Sequence, residues 1–378
     1  MTTPKKEISK YASHIKTAEE LANVLSSVQC AFINTNNPRI TASELNKYSD
    51  IYNNNRYAKF RIPKKNRRGF RVIFAPEERL KIILRCVNIL LQSLYNPKEY
   101  VTGFAYNTSV VKNASFHKSK DYVYNIDLKD FFYSINSSLI VRQLQKAPYF
   151  YSENVSTIIA NLSSILHNSV HTAVLSQGSP ASPILSNIVC GTMDEELYAL
   201  SLFYNTAYSR YADDITFSSN DNVFQESNYF YDDLEKIITS NGFCINKKKE
   251  RLQTKGIRQV VTGLVVNEKV NVSRSYIKDL RNLLYIWRRY GERAAQKCFG
   301  RKAKKNNKPA NTFFINYLRG KLSYLSLVKG EKDTVYLRLK NEFNLLLSRK
   351  YRQIYRHRIS SIINQEYIDI SDIYRGYF

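Results

Sequence analysis

Tyr211-Ala212-Asp213-Asp214 places two adjacent carboxylates between two apolar stretches, Ala207 to Tyr211 and Ile215 to Phe217. Neighbouring side chains on a straight strand point to opposite faces, so adjacent aspartates serve one site only where the chain turns. The tetrad therefore reads as the tip of a β-hairpin. Concentrated negative charge in a basic chain calls for cations, and divalent metal held by carboxylate oxygens is the obvious candidate. Taken alone, the dipeptide reads more readily as a solvated turn, and the rest of the chain has to overturn that reading.

The rest of the 378 residues sets the context. Lys and Arg number 57 against 32 Asp and Glu, a net charge of +25, and 29 tyrosines supply flat amphipathic surfaces. Such an excess of positive charge repels itself in the compact state and suits a polyanionic partner, while tyrosine rings stack on bases. The five cysteines are scattered without any CxxC pair, which suggests neither a zinc site nor a disulfide framework and fits a reducing cytoplasm. The start of the chain is polar, and the longest apolar run, Ile82 to Leu94, is interrupted by Arg85, Asn88 and Gln92, so no membrane association is expected.

Upstream of the tetrad, residues 1–55 read as a helical N-terminal extension, with capping boxes at Thr17 to Glu20 and Thr41 to Glu44. From Tyr57 to Pro76 the pattern alternates around Lys64-Lys65-Asn66-Arg67-Arg68-Gly69, predicting a hairpin whose cationic tip could close over a triphosphate or simply be solvated. Val123 to Leu128 reads as a strand with Asp127 opposite Ile126 and Leu128, running into Phe131-Phe132 and a helix; an aspartate there serves as a cap or as a ligand. Gln177-Gly178-Ser179-Pro180 opens a further helix with small residues and prolines, a flat surface on which a base pair could lie. Beyond Val272 the chain reads as helical and basic, with Arg281, Arg288, Arg289 and Arg293 near the single Trp287. Cations on such an appendage suggest a grip on a phosphate backbone.

Nucleotide polymerisation uses two metal ions held by shared carboxylates. A strand-end aspartate and a neighbouring Asp-Asp hairpin, joined by one sheet, supply that arrangement, with Asp127 and Asp213 as the bridging pair and Asp214 beside them.

Asn125-Ile126-Asp127-Leu128-Lys129-Asp130-Phe131-Phe132, the run Gln177 to Asn187 and Tyr211-Ala212-Asp213-Asp214 resemble, in order and spacing, the palm motifs of reverse transcriptases. With the finger segment the resemblance covers about residues 57–267. Asn113-Ala114-Ser115-Phe116-His117 is similar to the Asn-Ala-x-x-His element of bacterial retron reverse transcriptases, and Val261-Thr262-Gly263 to their Val-Thr-Gly triplet.

The resemblance implies an α+β right-hand polymerase: fingers and palm interleaved over 56–268, and a basic helical thumb with an RNA-binding C-terminal region over 269–378. It implies two Mg²⁺ ions on Asp127, Asp213, Asp214 and the backbone carbonyl of Leu128. Lys64, Arg71, Phe132, Gln177, Gly178 and Lys249 would form the dNTP site, with Phe132 excluding a ribose 2′-hydroxyl. Lys248 rivals Lys249 in that role, and Glu250 departs from the threonine common in the family. Tyr211, Val261, Thr262 and Gly263 would meet primer and template. Asn113, His117, Arg281, Arg288, Arg289 and Arg293 would contact RNA.

The implied partners are dNTPs, a cognate msr-msd type noncoding RNA with its branched DNA product (msDNA), and an effector protein in anti-phage defence. A group II intron-like reverse transcriptase is the nearest alternative, although this length leaves no room for its maturation region. A non-polymerising RNA–DNA scaffold is a second alternative, against which the intact aspartates argue.

Overall fold

The structure, a computed structural model, describes residues 8–33, 38–63, 69–167, 172–225, 229–305 and 314–349. The contacts divide the chain into two units, Met1–Lys269 and Val270–Phe378.

The first unit opens with helices α1 (Ala18–Val28) and α2 (Ala42–Ser49). Thr41 and Glu44 exchange both bonds of a capping box, while Thr17 accepts from the Glu20 amide. These caps satisfy amides that helix starts leave orphaned. Leu21, Leu25 and Leu45 are buried in one core with Leu80, Leu84 and Val87 of α3 (Glu78–Leu94). The N-terminal helices are thus built into the first unit.

Strands β1 (Tyr57–Pro63) and β2 (Phe70–Pro76) pair antiparallel from Tyr57↔Pro76 to Pro63↔Phe70, as the alternation predicts. Lys64 and the rest of the cationic tip, 64–68, lie outside the described residues.

At the centre is an antiparallel sheet in the order β6-β7-β3-β8, formed by Ala207–Tyr211, Asp214–Ser219, Tyr122–Asp127 and Arg251–Thr254 respectively, while β4 (Ser164–His167) and β5 (Thr172–Leu175) pair separately. Its members are short runs of β-branched and aromatic residues, suited to a half-buried pleated surface. Tyr208 and Phe217 pack with Phe230, the first residue of a helix ending at Ser240; the Phe217 and Phe230 rings meet edge-on at 5.3 Å. Helix α4 (Val110–Ser115) packs against β6, and two helices, α5 (Ser137–Leu144) and α6 (Glu153–Ser163), extend the core. The helices α7 (Ser182–Val189) and α8 (Gly191–Phe203) lead into β6. A two-residue pairing, Val260–Val261 with Leu264–Val265, carries the Thr262-Gly263 turn.

The second unit is helical among its described residues: Arg274–Lys305, divided at Gly291 where φ is +80°, then Phe314–Lys329, then 334–349. Trp287 is buried and meets Phe314 and Phe343 edge-on at 5.6 and 5.9 Å. The surrounding cations therefore stand away from it: Arg281, Arg288, Arg289 and Arg293 are all exposed.

Candidate active site

Asp127 ends β3 and Asp214 begins β7, and the register sets them directly opposite each other. Opposed residues of an antiparallel pair project to the same face. Between Tyr211 and its partner Asp214 the chain turns through Ala212 and Asp213. Ala212 has φ +58°, a left-handed conformation at the position where two-residue hairpins usually place glycine. The Leu128 amide donates to the Asp213 carbonyl at 3.0 Å, stitching the tip to the end of β3.

Three carboxylates are gathered here, and the proton affinities of Asp213 and Asp214 show it. Burial, then repulsion from Asp127, raises the Asp213 carboxyl above its ordinary range. Asp214 is pushed up to about 6 by burial and then by Asp213 and Asp127, even though its side chain keeps a solvent-exposed edge. Lys249 answers part of this charge, since its Nζ donates to both oxygens of buried Asp127 at 2.8 Å. Asn246 adds its backbone amide to the Asp127 carbonyl at 2.8 Å and its Nδ2 to the carboxylate at 3.2 Å. Of the two rival lysines, Lys249 is thus the one held on the aspartate. Glu250, the departure from the expected threonine, accepts from the Tyr124 hydroxyl at 2.6 Å.

A cavity of about 810 Å³ opens between β2 and the central sheet, lined by Arg71, Asp127, Leu128, Phe132, Gln177, Asp213 and Lys249. A second, of about 570 Å³, is lined by Tyr211, Asp214, Thr262 and Gly263, and shares Asp127, Lys248 and Lys249 with the first. Among the described residues no three acidic, histidine or cysteine side chains form a closed metal cage. Mg²⁺ does not require one, because it is commonly held by one or two carboxylates together with substrate phosphates. The oxygen-only donor set and its mutual repulsion fit such an ion.

Several expected site residues are placed differently. Gly178 does not line the cavity. At φ +140° its Cα lies against β2, where a Cβ would stand 2.4 Å from the Phe74 carbonyl oxygen, and the Phe74 amide donates to the Gln177 carbonyl at 2.9 Å. Gly178 thus ties the finger hairpin to the palm. Val261 is buried, leaving Thr262 and Gly263 to face the second cavity.

Asn113 and His117, assigned by resemblance to RNA contact, are enclosed. The His117 ring nitrogens bond Ser218 and Ser209 hydroxyls at 2.8 Å each, and burial pushes its pKa down to about 3, so the ring is neutral. Asn113 Oδ1 accepts from Thr102 at 2.6 Å and from Ser209 at 2.8 Å, while its Nδ2 reaches Thr262 at 3.5 Å. Both side chains are spent holding α4 to β6, β7 and the Thr262 turn, so direct RNA contact does not fit them.

Gly103, Asp194 and Arg210 are not among the expected site residues. Arg210 gives a signal in retrospect, as a charge inside an otherwise uncharged strand immediately before the tetrad.

Residues 62–275, more than half of the chain, match the reverse transcriptase (RNA-dependent DNA polymerase) family. The retron Ec86 reverse transcriptase of Escherichia coli is 30% identical over 232 residues, which cover 60% of this chain and 68% of that protein. The retron Mx65 reverse transcriptase of Myxococcus xanthus is 32% identical over 239 residues, covering 61% of this chain and 55% of that protein.

The chain belongs to the retron reverse transcriptases.

As the sequence of this family member implied, the architecture is α+β. The Asn113–His117 element and the Val261–Gly263 triplet, which resemble two retron elements, form one hydrogen-bonded unit behind the Asp213-Asp214 hairpin. The chain spans little more than half the length of the Mx65 relative.

Proposed function

We propose that this retron reverse transcriptase is an RNA-directed DNA polymerase that copies part of a structured msr-msd type RNA into branched, RNA-linked single-stranded DNA. The observation that carries the reading is the opposition of Asp127 and Asp214 across β3 and β7, with Asp213 at the stitched tip between two cavities.

In this reading the larger cavity receives the dNTP and the smaller one the priming hydroxyl. Asp127 and Lys249, which line both, stand where the two substrates meet. Asp127, Asp213, Asp214 and the Leu128 carbonyl would hold two Mg²⁺ ions, which when bound activate the attacking hydroxyl and neutralise charge on the triphosphate. Arg71, together with Lys64 of the finger tip, binds the phosphates. Phe132, half-buried at the cavity wall, blocks a ribose 2′-hydroxyl and so selects deoxynucleotides. Lys249 carries positive charge at the shared mouth, available to the departing pyrophosphate. Tyr211, Thr262 and Gly263 line the side on which the primer end would rest, with Val261 anchoring their turn from the core. Arg281, Arg288 and Arg289 before the break at Gly291, and Arg293 after it, are exposed and supply contacts to RNA phosphates.

Priming from an internal RNA 2′-hydroxyl, an anti-phage role with an effector protein, and a cytoplasmic location belong to the same proposal, which the family likeness supports. No helix among the described residues is long and apolar enough to cross a membrane.

Co-expression with the RNA encoded beside the gene tests this reading. The expected product is branched DNA with an RNase-sensitive portion, absent with Asp213→Asn. DNA made on any primed template but never from the cognate RNA would refute the retron-specific reaction.

A further inference from the structure

Behind the Asp213-Asp214 turn lies a polar assembly that the nucleotidyl-transfer scheme above does not use. Arg210, the residue before the tetrad, is fully buried, as are Asn187 and Asp194. Its guanidinium donates from Nε and Nη2 to the two oxygens of Asp194 at 2.6 and 2.7 Å, the bidentate geometry of a strong charge-assisted pair. Tyr208 donates to the same carboxylate at 2.7 Å. Arg210 has two further bonds, from Nη2 to Asn187 Oδ1 at 3.2 Å and from Nη1 to the Ala212 carbonyl at 3.0 Å. The last of these ends on the left-handed residue of the turn.

A second contact reaches the preceding peptide, Tyr211–Ala212. Residues 100–103 run beside β6, with Arg210 donating its amide to Tyr100 and accepting at its carbonyl from the Thr102 amide, both at 2.9 Å. They deliver Gly103 against the turn, where a Cβ would stand 2.4 Å from the Ala212 nitrogen and 3.0 Å from the Tyr211 carbonyl carbon. Both are backbone atoms and cannot swing aside. Asn187 closes the circuit by donating to the Gly103 carbonyl at 2.8 Å.

We propose that Gly103, Asn187, Asp194 and Arg210 are positioning residues that fix the two peptides flanking Ala212, and through them the direction of Asp213 and Asp214. The proposal rests on the reading that these carboxylates perform the chemistry. A buried ion pair contributes little net stability beyond what an apolar pair of the same volume supplies, because desolvation offsets most of the attraction. What it supplies here is orientation. The guanidinium has a rigid fork of donors, and it is the only group seen to hold the Ala212 carbonyl among the described residues. A left-handed alanine persists only where its surroundings over-determine it. Gly103 at the Tyr211–Ala212 peptide and Arg210 at the Ala212 carbonyl do so, and both belong to segments locked to α7 through Asn187.

Two substitutions separate this role from plain stability. Gly103→Ala adds one methyl group against the turn, and Arg210→Lys keeps a cation beside Asp194 but removes the planar fork. Each is compared with wild type and Asp213→Asn for thermal unfolding, primer–template affinity, and kcat and KM for dNTP on a primed RNA template. Active sites are counted by burst amplitude. Displacement of a reacting group by about 1 Å costs on the order of 100-fold, so kcat per active site is expected to fall about 10- to 100-fold in both variants. KM and primer–template affinity are expected to stay within about twofold, since such a displacement leaves substrate binding largely intact.

A folded Gly103→Ala and Arg210→Lys with wild-type kcat, beside an inactive Asp213→Asn, would overturn the positioning role alone. Full incorporation by Asp213→Asn would overturn the catalytic reading and this role with it. Loss of the fold in both variants, with Asp213→Asn folded, would also overturn it, by showing that the network serves the core.

Discussion

At the scale of single residues, the central property is the mutual repulsion of three carboxylates. A carboxyl whose pKa is higher when folded binds its proton more tightly in that state. It therefore weakens folding as pH rises from its unfolded value, near 4, through about 6 for Asp214, and the full penalty stands above that. Asp214→Asn should raise the thermal midpoint of chelator-treated protein at pH 7.5 and leave it unchanged near pH 4. Added Mg²⁺ should narrow the difference at pH 7.5 by stabilising the wild type. A gain that persisted at pH 4 would contradict the electrostatic account. The carboxylates were legible in the sequence because their chemistry needs those residue types at those spacings. Their restraints were not. Gly103, Asn187 and Asp194 act through contacts with residues far along the chain, and nothing local distinguishes Gly103 from an ordinary turn glycine.

Among the elements, the hairpins and helix caps were legible from alternation and from Thr41-Glu44, whereas the destinations of side chains were not. His117 shows why: a histidine motif says that the residue matters, but only the fold reveals that β6 and β7 each aim a serine at its ring. Removing the ring leaves both serine hydroxyls buried and opens a cavity. His117→Ala should therefore destabilise the protein by about 2–4 kcal/mol, measured by urea unfolding, while the folded protein keeps its RNA affinity. Weakened RNA binding at unchanged stability would restore the direct-contact role. Gly178 makes the matching case for the fingers. Alanine there meets both a φ of +140° and the Phe74 carbonyl, so Gly178→Ala should loosen β2 from the palm and raise the KM for dNTP about 10-fold or more, in line with misplaced binding groups. An unchanged KM would show that the hairpin is held by other contacts.

For the whole molecule, the +25 charge predicts counterion release on RNA binding. Replacing Arg281, Arg289 and Arg293 together by alanine should reduce the slope of log affinity against log salt by about two to three, with roughly one unit per lost phosphate contact. An unchanged slope would place the RNA on other cations. Charge and helical periodicity made this unit legible as basic and helical, and its Trp287 core was not, because periodicity alone does not say which aromatic rings meet. The account as a whole depends on Asp127, Asp213 and Asp214 forming a polymerase centre. The most direct measurement is single-nucleotide dNTP incorporation on a primed RNA template with Mg²⁺, comparing wild type with Asp213→Asn at matched folding and template occupancy. The predicted result is Mg²⁺-dependent extension by the wild type and a loss of about a thousandfold or more in the variant, the scale of several kcal/mol of metal-borne stabilisation. Extension by Asp213→Asn at the wild-type rate would contradict the account.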